Sequence, residues 1–432
     1  MTGLGTSVAS PFDDLPATTQ EAALPLGFTV GAATAGIKPS GRPDLAVVLV
    51  TAEEPAAAAG VFTTNRMAAA PVRISRQHLA ASGGLARAIV VTSGCANAAT
   101  GRAGEADEQQ VVETLAAALA CPPAQILAGS TGLIGTRLPV DRIEPALRDL
   151  VATGLSTDGA GLAAAANAIM TTDRQPKAAT TTIVLPADDG QARQVRVSGI
   201  AKGVGMIHPA MATLIAVVLT DAAVRPADLG ALLASAADAT FNQLSVDADT
   251  STNDTVLVLA SGASGAAPVR HGSPEAADLG AALTAVCRSL ARQQAADGEG
   301  ATTLITCRVT GAVDLIDART AARAVVASNL VKAAVHGRDP NWGRVASAAG
   351  AARRLDGRAV ELDPERLAIS LAGASVFAAG GPVAFDRSVV SMAMAGPEVE
   401  VGLDLGLGEA AAEAWGCDLT EAYVRENAEY ST

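Results

Sequence analysis

At 432 residues the chain is long enough to bury one or two large cores, and its formal net charge of −13 speaks against nucleic acid or an anionic membrane as a partner. Apolar residues make up 49% but aromatics only 2%, so Ala and Gly must bring backbones close together in tightly layered sheets and helices. The 5 cysteines are scattered without a CxxC pair and the 4 histidines form no HxxxH pair, so neither a disulfide framework nor a metal site is expected.

The opening residues, 1–26, read as a polar arm rich in turn formers, with no basic or apolar region of a signal peptide. No apolar stretch reaches the roughly 20 residues of a membrane helix. A reducing cytoplasm is the expected compartment. The runs LAVVLVT (45–51) and AIVVT (88–92) read as core strands. Val111, Val112, Leu115 and Leu119 recur at helical spacing and stop before Pro122-Pro123. LIAVVL (214–219) is short, continuous and β-branched, the pattern of a strand buried on both faces. Pro226 can start a helix that turns Leu229, Leu232, Leu233 and Phe241 inward, and TVLVLA (255–260) is another buried strand. A flexible connection then leads to a helix carrying Leu279, Leu283, Val286 and Leu290. From Thr302 the pattern becomes a strand, one long helix over DARTAARAVVASNLVKAAV, a further helix after Trp342 and more strands, a smaller α/β unit.

Several motifs fail on inspection. Gly203-x-Gly205 lacks the third glycine of a dinucleotide fingerprint, and the segment after Gly406-x-Gly408-x-x-Ala411 is too short for a crossover helix. In DADTSTNDT (247–255) the sixth position of a calcium loop would be Thr252 and the twelfth Val258, so calcium is rejected; a solvated Asx turn, or a structural role beside a site, remains. AGSTG (128–132) has Ala128 where a nucleophile elbow needs Gly. An exposed turn at Thr131-Gly132 could nevertheless aim a hydroxyl and a backbone N–H at one point, as an oxyanion hole requires.

The segment KGVGMIHPAMATLIAVVLTDA (202–222) holds the most chemistry. A Gly-rich, Pro-containing turn leads into Ala212-Thr213 and then straight into the core strand. If the Thr213 hydroxyl attacked the Ala212 carbonyl and water opened the ester, Thr213 would carry a free α-amine beside its hydroxyl. An α-amine has a pKa of about 7.7 to 8.0, so nucleophile and base would share one residue. Spacing alone favours an ordinary Gly-rich loop before a core strand.

Ordered matches along the chain decide between these readings. GFTVGAATAGIKPSGRPDL, FTTNRMAAAPV, VTSGCANAATG, STGLIGTRLP and AIMTTDRQPK precede the 202–222 segment; FNQLSVDADTSTNDT, DGEGAT, SNLVKAAVHGRDPNWGR, AWGCDLT and YVRENAEYST follow it. Together they resemble the ornithine acetyltransferase family, the bifunctional glutamate N-acetyltransferases of the cyclic arginine pathway. Cys95, Ala210 and Thr303 depart from residues common in that family.

The resemblance implies an α/β fold: a layered α-β-β-α core with an N-terminal-nucleophile-like active site, plus a smaller C-terminal α/β domain. The expected divisions are an arm (1–26), a core with the cleavage site (27–285), the smaller domain (286–405) and a tail closing the active site (406–432). It implies cleavage between Ala212 and Thr213, with Thr213 as nucleophile and Thr131 and Gly132 as oxyanion donors. Thr171, Lys202, Thr213, Glu299, Asn427 and Thr432 would contact substrate. Acetyl would pass from N2-acetylornithine to glutamate without a bound cofactor, with acetyl-CoA an alternative donor in bifunctional members. The family also implies a heterotetramer of two copies of each cleavage product. Two competing classes are an amidohydrolase or aminopeptidase using the same nucleophile, and an uncleaved amino-acid-binding paralogue.

Overall fold

The computed structural model describes residues 10–208 and 214–429. The chain runs through β1 (Phe28–Ala33), β2 (Leu45–Val50), β3 (Ala56–Phe62), α1 (Ala70–Ala81), β4 (Leu85–Ala86), β5 (Ala88–Cys95), α2 (Gly101–Ala118) and β6 (Ile126–Leu133). Next come α3 (Val140–Thr153), α4 (Gly159–Ile169), β7 (Lys177–Pro186), β8 (Ala192–Lys202), β9 (Ile215–Thr220), α5 (Pro226–Ala239), β10 (Thr255–Ala260) and α6 (Pro274–Ala296). The remainder is β11 (Leu304–Ala312), α7 (Leu315–Ala327), α8 (Asn329–His336), α9 (Trp342–Ala351), β12 (Ala368–Leu371), β13 (Ala374–Ala378), β14 (Gly381–Pro382), α10 (Arg387–Ala393), β15 (Glu398–Asp404), β16 (Ala410–Cys417) and α11 (Glu421–Glu429).

Among the described residues the strands form three sheets, in the orders β1-β2-β5-β6, β4-β3-β10-β9-β8-β7 and β14-β13-β12-β15-β11-β16. The first two face each other across a core that takes Val48, Ile89, Ile215, Val217, Leu219 and Leu257. Outside the first sheet, α2 and α3 pack Val111, Leu115, Ile143 and Leu147 against Val47 and Val90. Outside the second, α5 and α6 pack Leu233, Leu279 and Leu290, with Phe241 of the turn after α5, against Ala216, Val218 and Val258. The layers are helix, sheet, sheet, helix.

The β9 run shows why the sequence takes this form. Ile215, Val217 and Leu219 point to the inter-sheet core while Leu214, Ala216 and Val218 point to the helices, so alternation disappears and every position is apolar. Burying each such large side chain contributes roughly 1.5–3 kcal/mol. The expected helices are anchored at their starts: Pro226 and Pro274 occupy first-turn positions, and the Ser273 hydroxyl accepts from the Ala276 N–H at 3.2 Å.

Three features differ from the sequence reading. The long helix expected over 317–335 is two helices, because Ser328 leaves the helical region (φ −70°, ψ 113°) and its side chain caps Val331 N–H as α8 begins. The arm does not hang free over its described part. Thr19 and Thr180 exchange backbone hydrogen bonds at 2.9 Å, and Thr181 Oγ1 donates to Ala17 O at 2.7 Å, so the arm covers the outer edge of β7. Farther along, the Phe12 ring stacks on Trp415 with centroids 6.0 Å apart. Finally, the division expected at 285/286 falls inside α6, and the segment after 406 includes β16, which pairs with β11 in the third sheet. From that segment α11, which follows β16, contributes Tyr423 and Asn427 to the lining of a cavity.

That third sheet packs Cys307, Val309, Val399 and Val401 against Val325 and Val345 of α7 and α9 in a separate core. No helix among the described residues is long and apolar enough to cross a membrane.

Candidate active site

The C-terminal ends of β6 and β8 meet the loops before β10 and after α4 and α6 around a cavity of about 240 Å³. Thr131, Gly132, Thr171, Lys202, Glu299 and Asn427 all line it. Five segments far apart in sequence thus deliver these expected residues to one place. Ala212, Thr213 and Thr432 lie outside the described residues.

Thr131-Gly132 is not the exposed turn the sequence suggests. Both residues belong to β6, Thr131 is 3% exposed, and the register slips where Cys95 faces both Thr131 and Leu133. This bulge lets Gly132 adopt φ +129°, and a Cβ there would lie 2.4 Å from the Gly94 carbonyl carbon. Only glycine fits so close an approach. Cys95, at the bulge, is buried and donates its thiol to Thr136 O at 3.2 Å.

Lys202, at the end of β8, is 3% exposed and donates from Nζ to Thr131 Oγ1 at 3.1 Å. Burial lowers its pKa, with the Asp173 charge opposing. Asp173 organises this wall. Its Oδ1 accepts from Gly203 N–H at 2.9 Å and from Lys177 Nζ at 2.7 Å, and its Oδ2 accepts from Thr171 N–H at 3.1 Å. Lys177 Nζ also reaches Asp297 Oδ2 at 2.7 Å. Burial works to raise the Asp173 carboxyl, but the Lys202 and Lys177 charges bring it down to about 2. The wall is a satisfied network of buried charge.

Glu299 forms part of the cavity rim. Its Oε1 accepts from Thr172 Oγ1 and its Oε2 from Asn427 Nδ2 of α11, both at 2.9 Å. Gly205 packs against it: a Cβ at Gly205 would lie 2.4 Å from Oε2. The helix carrying Asn427 is seated by Thr420, whose hydroxyl donates to Gly300 O at 2.8 Å and accepts from Tyr423 N–H at 3.2 Å.

The loop rejected as a calcium site supplies the remaining side of the cavity. Asp247 accepts the Ile207 N–H on Oδ1 at 2.8 Å and the Met206 N–H on Oδ2 at 2.5 Å. Burial raises its carboxyl to about 6 despite these bonds. Asn253 Nδ2 donates to Ala96 O at 2.6 Å and Ser130 O at 2.8 Å, tying the tips of β5 and β6 to the start of β10. Sequence reasoning missed Thr172, Asp173, Asp247, Asn253 and Tyr423 as members of the site. The available signal was that TTD and DADTSTNDT sit inside matched motifs yet carry polar residues beside core elements. Among the described residues no group of His, Cys, Asp and Glu side chains is placed to hold a metal.

Comparison with known proteins adds a family. Residues 29–432 match the profile described as the ArgJ family. The chain is 46% identical over 418 residues to the arginine biosynthesis bifunctional protein ArgJ of Synechocystis sp., covering 94% of this chain and 97% of that one. It is 44% identical over 409 residues to the protein of the same name from Thermus thermophilus, covering 95% and 99%. Among solved structures it is similar to ArgJ of Bacillus halodurans (38% identity, 50% of this chain and 98% of that chain, TM-score 0.47). It is also similar to the ornithine acetyltransferase of Mycobacterium tuberculosis complexed with ornithine (37% identity, 46% and 100%, TM-score 0.39).

Proposed function

The chain belongs to the ArgJ family, and on that premise we propose that it is a self-splitting acetyltransferase of arginine biosynthesis that moves acetyl from N2-acetylornithine to glutamate. In this reading the Ala212–Thr213 bond breaks, and Thr213 carries the acetyl group as an ester between the two half-reactions. The single observation that carries it is a cavity where a buried cation, Lys202, and a partly exposed anion, Glu299, flank Thr131 and Gly132. An amino-acid substrate offers complementary groups: a carboxylate for the cation and an ammonium for the anion.

The hydrogen bond from Lys202 supports the oxyanion role of Thr131. The ammonium occupies a lone pair of Oγ1, so the hydroxyl keeps its own proton free to donate, and the cation polarises that O–H. A donor of this kind contributes roughly 2.7–4 kcal/mol in the transition state. The α-amine of Thr213 takes the hydroxyl proton during attack and returns it to the departing ornithine amine. Thr171, Asn427 and Thr432 complete substrate contact in this reading. Glutamate then enters the same pocket, so ping-pong kinetics follow and no bound cofactor takes part; acetyl-CoA is proposed as a second donor.

The proposed setting is cytoplasmic, with two copies of each product, Met1–Ala212 and Thr213–Thr432, in the assembly. Mass spectrometry of the purified protein with and without acetylornithine tests the core of the proposal. The expected result is two pieces, with added acetyl mass on the one beginning at Thr213. Turnover by an intact single chain would overturn it. Acetyl-CoA in place of acetylornithine reads the second donor in the same experiment.

A further inference from the structure

A second cavity of about 270 Å³ lies between α5 and α7, and none of its described lining belongs to the site above. Thr320, Arg323, Ala324 and Ala327 stand at i, i+3, i+4 and i+7, and so share one face of α7. The opposite face sends Ala321, Ala322, Val325 and Val326 into the core of the third sheet. Two alanines on the open face leave the space unfilled. Asp238 of α5, His208 and Arg353 supply further walls. Thr320 is 5% exposed, and its hydroxyl has no hydrogen-bond partner among the described residues. Arg323 is half-buried and forms no hydrogen bond or ion pair with any described residue. Buried polar groups normally find partners, and two such exceptions three residues apart on one helix face point to a ligand.

Although the whole chain carries a charge of −13, the described lining here holds two guanidiniums, one imidazole and one carboxylate. The carboxylate, Asp238, is already paired with Arg319. Burial lowers the Arg323 pKa, with the Asp238 charge opposing and the Arg319 charge adding. Arg353 donates from Nη1 to Ala352 O at 3.0 Å and uses no other side-chain N–H on a described residue. Guanidiniums present planar forks of donors that fit carboxylate and phosphate oxygens, and the Thr320 hydroxyl adds another donor. We propose that this cavity is a second ligand site, which takes a small molecule by its carboxylate or phosphate group through Arg323, Arg353 and Thr320. His208 is its built-in reporter. Burial and then the Arg323 charge lower its pKa, with the Asp249 charge opposing, and its Nδ1 lies 3.2 Å from Ser245 Oγ. An anion on Arg323 offsets that positive charge. Met206 and Ile207, just before His208, donate their N–H groups to Asp247 of the first cavity, so the ligand would lie one short segment from the acetyl-transfer wall.

The experiment titrates inorganic phosphate and acetate, separately, into wild type, Arg323→Gln and Thr320→Val carrying isotope-labelled histidine. The chain has only 4 histidines, and His208→Gln identifies the reporter signal in the NMR spectrum. The expected result is saturable movement of the His208 signal by at least one of the two anions. That anion should bind R323Q about tenfold more weakly or worse, and T320V by a smaller factor. At saturation the His208 pKa in wild type should rise, because the bound anion screens Arg323 while Asp238, Asp249 and Arg353 keep their charges. Stronger binding of phosphate or of acetate tells which head group the natural ligand carries. A His208 signal that neither anion moves overturns the inference, as it would if both were held only at Lys202. Equal affinity in wild type and R323Q overturns it as well. If R323Q fails to fold, T320V decides, since valine keeps the shape of threonine: undiminished affinity there overturns the inference. Binding is read without turnover, so the outcome is independent of the acetyl-transfer reading.

Discussion

The Lys202 ammonium donates to the Thr131 hydroxyl at 3.1 Å, joining the end of β8 in one sheet to the end of β6 in the other. The two side chains therefore act as one unit toward a developing oxyanion. Thr131→Ala is expected to lower kcat by roughly 10²–10³. Lys202→Met should cost at least as much, because it also removes the cation from the substrate wall. In a double-mutant cycle the combined loss should fall far short of the product of the two. Independent, multiplicative losses would show that the contact has no part in transfer.

Thr213→Ala should remain one band at the full 42.9 kDa on a denaturing gel and lose acetyl transfer. Its melting temperature should stay near that of the wild type, since the strands around the site keep their apolar residues. A T213A protein that still breaks between residues 212 and 213 would dispose of the hydroxyl attack.

Gly205→Ala places a methyl group 2.4 Å from Glu299 Oε2 and should push that carboxylate away from Thr172 and Asn427. Losing a charge-assisted contact of roughly 1.5–3 kcal/mol raises KM for an amine-bearing substrate by about tenfold to a hundredfold. The kcat should change much less. Steady-state kinetics with glutamate varied against acetylornithine would separate the two parameters, and an unchanged KM would count against Glu299 as the ammonium partner.

Glu108 supplies a pH prediction away from the cavity. It is 1% exposed and burial raises its carboxyl from 4.5 to about 7, against the hydrogen bond it accepts from Asn97 Nδ2 at 2.9 Å. The folded state holds this proton more tightly than the unfolded chain, so stability should decline as pH rises from about 4.5 to about 7 and stay reduced above. Glu108→Gln keeps the acceptor without the charge. It should flatten this decline and raise stability at pH 8 by roughly 2 kcal/mol, with no gain at pH 4. Denaturant unfolding across that range is the measurement.

The strands at 215–220 and 255–260 were readable because burial on both faces leaves a continuous apolar run, which no surface strand can carry. The helix ending before Cys121 was equally plain from its spacing. The break at Ser328 was not read, although a serine before an apolar helical pattern is a capping signal; strong helix formers on either side masked it. Thr131, Lys202 and Glu299 carry no periodic mark and became candidates only through the motifs around them. Asp173, Lys177, Asp297 and Asn253 were missed for the same reason. Lys177 and Asp297 meet across 120 residues, and Asn253 and Ala96 across 157, and polar contacts between distant segments leave no spacing to count.

In the second sheet, β10 and β9 lie side by side between β3 and β8. A break before residue 213 would put β3 and β8 on the first piece and β9 and β10 on the second. Each piece would then contribute strands to one continuous ladder, with an intermolecular seam on both sides of the inserted pair. Such halves cannot drift apart as docked subunits do: parting them means melting the middle of the protein. The severed molecule should consequently behave in dilution and on sizing columns as though its backbone were whole, and its lifetime should be set by an unfolding barrier instead of an interface affinity.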